Sequence, residues 1–477
     1  TPKTCGPEAG CAYQDARRRA AEADMIVLNH TLFFTLLAGQ EDLGVAGEGF
    51  LYPNDFVVID EAHTIENVAA KQLGLHVSQS GLRFDLGRLY NPRSHKGLFA
   101  LALKPEAVVA CTKLYEKIDA FFESIGEAAS FSPAGREFRV RRAGLVENTL
   151  NGALMDVIDH IRSVTEDENT PENLLSEITE MGRRFNEVRA GLEEFLMQTR
   201  EGHVYWVERS GIDGRNLGLH AAPVDVSSLL HALFFSGQKT CVLTSATLGT
   251  GDSNLRYFRR RCGAGKVRAV EIGSPFDWEN QMRLYLVRTM PDPNTAGYES
   301  ALEEWIKHFL TLSQGRAFVL FTSYKLMESL ASRLEPWMRL QTWDLLVQGK
   351  GKPRHQLLAD FKESVSSVLF GTESFWTGVD VPGEALSNVI ITRLPFAVPD
   401  HPLTAARIEY IEDRGGNSFI EYSVPEAVLK LRQGIGRLIR TRKDRGIAVI
   451  LDPRVLTKAY GKAFLDALPP APREIVG

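Results

Sequence analysis

The chain has 477 residues, of which 44% are hydrophobic and 24% charged, with a net charge of −5. That length exceeds one hydrophobic core and predicts about three domains of an ordinary globular kind. No run of about 18 apolar residues marks a transmembrane helix, and five cysteines (Cys5, Cys11, Cys111, Cys241, Cys262) are too sparse and odd in number for a secreted disulfide framework.

The acidic balance advertises no nucleic acid globally, although a local basic groove suffices for phosphate contacts. With no signal peptide and no initial Met, the chain reads as a cytosolic fragment. Residues 1–20 hold Cys5 and Cys11, then a basic, Ala-rich helix from Ala16 to Ala23 begins. Met25-Ile26-Val27-Leu28 predicts a short buried strand. Phe56-Val57-Val58-Ile59 predicts the next, after a loop marked by Gly44, Gly47, Gly49 and Pro53.

From about 75 to 205 strand-like runs vanish and helical periodicity takes over, as in Leu174-Leu175-Ile178-Met181 and Phe185-Val188-Leu192-Phe195. This reads as an inserted, mostly helical domain. Its arginines Arg136, Arg139, Arg141 and Arg142 suit a solvated surface or a DNA contact. Strand signals return at Cys241-Val242-Leu243-Thr244. From about 275 onward strands (Ala317 to Phe321, Val368 to Phe370, Val389 to Ile391, Ile447 to Leu451) alternate with helices (Ala301 to Leu312, Lys325 to Trp337, Glu426 to Ile439). Fully apolar strands between helices predict a parallel α/β sheet. The fold class is α/β: two α/β units, with a helical insertion in the first.

Asp60-Glu61-Ala62-His63 follows the second predicted strand at once. Carboxylates at the carboxyl end of a buried parallel strand project into the crevice where α/β sheets bind ligands. There Asp60 would hold Mg²⁺, and Glu61 would orient or deprotonate an attacking water. The plainer alternative is acidic residues at a helix start, favoured by the macrodipole. Ser245 and Thr247, at another strand end, would hydrogen-bond Asp60 or His63, or merely cap a helix.

Gly371-Thr372-Glu373-Ser374-Phe375-Trp376-Thr377-Gly378-Val379-Asp380 follows the predicted strand that ends at Phe370. Its hydroxyls and Asp380 suit a phosphate backbone on one side and a nucleotide on the other; a tight loop with two buried aromatics is the alternative. Gln433, Arg437 and Arg440 are spaced to share one helical face. Guanidiniums aimed at a γ-phosphate stabilise the charge that develops in the transition state. Gly434 and Gly436 weaken that helix, which points to close backbone approach. Cys5 and Cys11 alone cannot complete a zinc or iron–sulfur site. No GxxxxGK[ST] phosphate loop occurs in the chain.

Taken in order, the motifs DEAH, TSAT, GTESFWTGVD and QGIGRLIR resemble those of the XPD-like iron–sulfur helicases of superfamily two, and within them the DinG/YoaA branch. The strings ADMIVLNHTLFF and VVIDEAH read like that branch too, and the resemblance spans almost the whole chain. It implies two RecA-like parallel-sheet motor domains with a mostly helical arch insertion in the first. Residues 1–24 would end an iron–sulfur module. Residues 25–75 and 206–272 would belong to motor domain 1, residues 76–205 to the arch and residues 273–477 to motor domain 2.

The implied activity is ATP-dependent DNA unwinding with 5′ to 3′ translocation on single-stranded DNA, in repair or replication. The implied cofactors are ATP, Mg²⁺ and a [4Fe-4S] cluster. Cys5 and Cys11 match the last two of the four cluster ligands, and Asp60, Glu61 and His63 match the Walker B motif. Ser245 and Thr247 match the coupling motif, Gly378 and Asp380 the fifth motif, and Gln433, Arg437 and Arg440 the sixth. Thr322, Ser323, Tyr324, Lys325, Thr372 and Trp376 are the candidates for nucleic-acid contact.

The phosphate-loop Lys and Thr and the first two cluster cysteines are missing. The chain therefore reads as a portion of a longer protein, inactive alone, or as a degenerate one. Two other functions compete: an ATPase-inactive DNA-binding scaffold and a related motor acting on RNA. The expected partners are single-stranded or forked DNA and a single-strand-binding protein, with a monomeric chain, in the cytoplasm and away from membranes.

Overall fold

The computed structural model describes residues 12–41, 56–132, 135–211, 213–236, 240–252, 254–364, 366–376, 381 and 383–477. The candidates Cys5, Cys11, Gly378 and Asp380 lie outside them. Two compact units divide the chain. One comprises residues 1–57, 64–241 and 399–407; the other comprises residues 58–63, 242–398 and 408–477. The described strands are β1 (Phe56–Ile59), β2 (Leu75–Ser78), β3 (Glu137–Val140), β4 (His203–Ser210), β5 (Asn216–Pro223), β6 (Thr240–Leu243), β7 (Met282–Val287), β8 (Ala317–Leu320), β9 (Asp344–Val347), β10 (Ser367–Gly371), β11 (Asn388–Ile391), β12 (Gly446–Ile450) and β13 (Arg473–Val476).

In the first unit, β2, β5, β4 and β3 form an antiparallel sheet in that order. It shares one core with the helices Pro105–Ala128, Asn151–Thr165 and Glu172–Met197. In the last of these, Leu174, Ile178, Met181, Phe185, Leu192 and Phe195 fall on one stripe, and all are buried. Each such side chain contributes about 1.5–3 kcal/mol on burial. The expectation that strands vanish between 75 and 205 fails at β2, β3 and the start of β4. An antiparallel sheet buries one face, so Glu137-Phe138-Arg139-Val140 mixes polar and apolar residues and shows no apolar run. Met25–Leu28 is not a strand either. Met25 and Val27 are exposed, and no strand among the described residues pairs with them to complete a ladder.

The second unit is built on a seven-stranded sheet in the order β13-β7-β12-β11-β8-β10-β9. Every pairing in it is parallel. Its two faces enter different cores. Phe318 and Leu320 pack with Trp376, Leu431 and Ile435, while Val319 and Phe321 pack with Ile306, Phe309 and Leu330. Burial on both faces is why β8, β10, β11 and β12 stand out as unbroken apolar runs. β13 does not, because it is an edge strand exposed on one side; the other edge strand, β9, keeps the short apolar run Leu345-Leu346-Val347. β1 and β6 pair separately as two strands. No helix among the described residues is long and apolar enough to cross a membrane.

Candidate functional site

The tip of β1 is fastened to the end of β6 by two backbone bonds. Thr244 N donates to Ile59 O at 2.9 Å, and Ala62 N donates to Thr244 O at 3.0 Å. Between them Glu61 adopts a left-handed conformation, φ 49°, a strain of about 1–3 kcal/mol for a residue other than glycine. The turn carries its carboxylate to Ser245. Ser245 Oγ donates to Glu61 Oε2 at 3.1 Å and lies 2.9 Å from His63 Nδ1. His63 Nδ1 is itself 3.3 Å from Glu61 Oε2.

The line continues: Thr247 N donates to Ser245 Oγ at 3.2 Å, and Gln433 Nε2 donates to Thr247 Oγ1 at 3.3 Å. The structure thus gathers Glu61, His63, Ser245, Thr247 and Gln433. Of the two partners expected for Ser245, His63 is met and Asp60 is not. Asp60 is exposed, and among the described residues it makes no hydrogen bond or ion pair. The Glu61 side chain is anchored yet 60% exposed, so it is held in place while remaining accessible to water.

The expected helix through Ile439 ends at Ile435. Gln433 lies on it, but Arg437 and Arg440 lie beyond its end, so the three do not share a helical face. The two glycines explain the stop. Each costs about 1 kcal/mol against alanine in a helix, and Gly436 N closes the last turn on Arg432 O at 2.8 Å. Gly434 does permit close approach: a Cβ there would sit 3.0 Å from Trp376 Cε3. Arg437 is buried and donates to Trp376 O. Arg440 is exposed, and its backbone N donates to Asp444 Oδ2 at 2.8 Å.

Two of the nucleic-acid candidates are corrected by burial. Trp376 is 0% exposed, and its Nε1 donates to Phe321 O at 2.9 Å. The indole fills the core, and no face is open for a base. Thr372 is buried, and its N and Oγ1 both donate to Gln348 Oε1, at 2.7 and 3.1 Å. Its hydroxyl is occupied within the protein. By contrast, Thr322, Ser323, Tyr324 and Lys325 follow the carboxyl end of β8 and remain accessible. Ser323 Oγ caps the helix Tyr324–Leu340, accepting from Leu326 N at 3.4 Å, and Tyr324 is half exposed. Trp376→Ala is expected to cost about 3–5 kcal/mol in urea unfolding. Weakened DNA binding at unchanged stability would instead return the ring to a nucleic-acid role.

Gln348 escaped the sequence reading. Its Nε2 donates to Ser374 Oγ at 3.1 Å and to the Tyr324 hydroxyl, so one side chain joins the ends of β8, β9 and β10. The signal was a polar residue ending an apolar strand, before Gly349 and Gly351 at positive φ. Lys430 pairs with Glu373 at 2.6 Å, and Arg432 donates to Gly249 O. Burial pulls Arg432 below the usual arginine range. Burial also pushes the Cys241 thiol up to about 11, which makes it a poor nucleophile or ligand. Among the described residues no group of three or more His, Cys, Asp or Glu is placed to hold a metal ion.

Two family models match the chain: one described as Helicase C-terminal domain over residues 306–471, and DEAD_2 over residues 3–82. The ATP-dependent DNA helicase YoaA of Haemophilus influenzae is 33% identical over 472 residues, covering 98% of this chain and 70% of that protein. The ATP-dependent DNA helicase DinG of Photobacterium profundum is 31% identical over 500 residues, covering 98% of this chain and 70% of that protein. A solved XPD helicase structure is similar over 100% of this chain and 77% of its own, with a TM-score of 0.60 at 15% identity. That last likeness speaks for the fold alone, and the fold is that of RecA-like helicase motors.

Proposed function

Because this chain belongs to the XPD-like helicases of superfamily two, in the DinG/YoaA branch, we propose that it serves an ATP-dependent DNA helicase travelling 5′ to 3′ on single-stranded DNA in repair or replication. The observation that carries this reading is the hydrogen-bonded line from Glu61 through Ser245 and Thr247 to Gln433. It gives the proposed hydrolytic carboxylate a hydrogen-bonded connection to the segment that carries the arginines, an arrangement suited to coupling hydrolysis to movement.

Asp60 suits Mg²⁺, a hard cation that takes oxygen ligands, because its carboxylate is exposed and uncommitted among the described residues. Bound Mg²⁺ supplies charge that neutralises the β- and γ-phosphate oxygens. Glu61 orients the attacking water and accepts its proton, while Ser245 and His63 hold the carboxylate in place. Arg437 and Arg440 offset the negative charge on the transferring phosphoryl group. Gly378 and Asp380 contact the nucleotide. Thr322, Ser323, Tyr324 and Lys325 bind the DNA backbone or stack on a base.

The 477 residues hold no GxxxxGK[ST] phosphate loop, and none of them is assigned to grip the β- and γ-phosphates. Cys5 and Cys11 are two thiolates where a [4Fe-4S] cluster takes four. These two residues do not complete that site. The test is ATP hydrolysis with and without single-stranded DNA, in a form of the protein that carries a phosphate loop, followed by unwinding of 5′- and 3′-tailed duplexes. Stimulation by DNA and unwinding from 5′ tails only are expected. Unwinding from 3′ tails would reverse the polarity, equal stimulation by RNA would make this an RNA motor, and absent hydrolysis would leave a DNA-binding scaffold.

A further inference from the structure

Four adjacent strands, β7, β12, β11 and β8, begin around a cavity of about 450 Å³. It lies at their amino ends, whereas Thr322 to Lys325 and Thr372 follow the carboxyl ends of β8 and β10. None of its lining residues belongs to the site described above. The volume falls in the range of pockets that take sizeable organic ligands.

The wall is cationic. Arg316 precedes β8 and Arg445 precedes β12. Arg316 donates through Nε to Ser313 O at 2.9 Å. Among the described residues Arg445 makes no hydrogen bond or ion pair. Arg283 also lines the cavity but is committed to Glu474. Glu279 is the single acid in the lining. Two guanidiniums without carboxylate partners against one carboxylate leave a single positive charge. That charge matches a carboxylate monoanion better than a phosphate monoester at about −1.5 to −2.

Two features show a site held ready. Ser387 lines the cavity, and its Oγ is buried with no hydrogen-bond partner. A buried hydroxyl left unbonded is costly, and a ligand oxygen would relieve it. Arg316 is held at φ 45°, a conformation unusual for any residue but glycine. Ser387 N and Asn388 N both donate to its carbonyl, at 2.9 and 3.2 Å. The sheet therefore enforces the turn that sets this guanidinium at the wall. Beside the charges lie Tyr285, Ile447 and Leu312, the last 57% exposed.

We propose that this cavity captures the C-terminal carboxylate and the last apolar side chain of a partner polypeptide. Arg316, Arg445 and Ser387 receive the carboxylate, with charge-assisted bonds from the guanidiniums. Leu312, Tyr285 and Ile447 cover the side chain. The exposed rim residues Arg283 and Glu279 carry both signs and suit the polar backbone that leads away.

The experiment is fluorescence anisotropy on this chain with fluorescein-labelled peptides Gly-Ser-Asp-Gly-Xaa. Xaa is Phe, Leu, Ile or Val, each prepared as the free acid and as the amide. At least one free acid is expected to bind saturably, and amidation to weaken it by about tenfold or more. Arg445→Glu should weaken it as much, and Ser387→Ala several-fold, both with unchanged thermal unfolding. Equal binding of acid and amide, no effect of Arg445→Glu, or no saturable binding of any free acid up to millimolar concentration would overturn the proposal. So would displacement of the peptide by oligothymidylate, which would assign the cavity to nucleic acid.

Discussion

Glu61→Gln is expected to lower kcat for ATP hydrolysis by about 10²–10⁴-fold and to leave nucleotide affinity near its original value. The substitution is nearly isosteric. The glutamine carbonyl can still accept from Ser245 Oγ, which lies 3.1 Å from Glu61 Oε2, and the backbone at φ 49° is asked for nothing new. What is lost is the negative charge and the capacity to accept a proton. The measurement is steady-state turnover beside binding of a non-hydrolysable ATP analogue, in a form of the protein that carries a phosphate loop. Turnover close to the unsubstituted rate would remove Glu61 from the chemistry. A joint loss of turnover and analogue binding would make it a residue of the binding surface.

Arg437→Ala is expected to lower kcat by about 10³-fold or more, with little change in affinity for single-stranded DNA. Arg437 is buried and donates to Trp376 O, so truncation also strands a buried carbonyl, at about 1–3 kcal/mol. Arg437→Lys separates the two effects. It keeps a positive charge but not the planar fork that matches phosphate, so it should fold better than the alanine variant and still hydrolyse ATP slowly. Loss of stability in urea at unchanged kcat would make Arg437 a structural tie to the Trp376 segment. A larger loss of DNA affinity than of kcat would move it to the DNA track.

The local chemistry of this protein was legible in its residues. β8, β10, β11 and β12 are unbroken apolar runs because the parallel sheet buries both of their faces. The stripe from Leu174 to Phe195 appears at helical spacing because the helix Glu172–Met197 buries one side. The adjacency of Asp60 and Glu61 to an apolar strand puts two carboxylates at a strand tip, and that is legible in the residues alone.

What only the tertiary structure decided is which distant residues meet and which face inward. Ser245 reaches Glu61 across 184 positions, and Gln433 reaches Thr247 across 186. Neither pairing follows from local spacing, because each depends on where two separate chain segments end. Trp376 is core rather than surface because Phe321 O accepts from its indole and Gly434 lets a helix close over it. β2 and β3 stayed hidden because a strand buried on one face carries no apolar run, whereas β4 does carry one, the buried Val204-Tyr205-Trp206-Val207. The helix bearing Gln433 ends at Ile435 because two glycines weaken it where the chain turns toward Trp376. Periodicity and propensity act over a few residues and are written in the sequence. Long-range burial and hydrogen-bond partnership are set by the whole packed chain, and they placed each side chain in or out of the site.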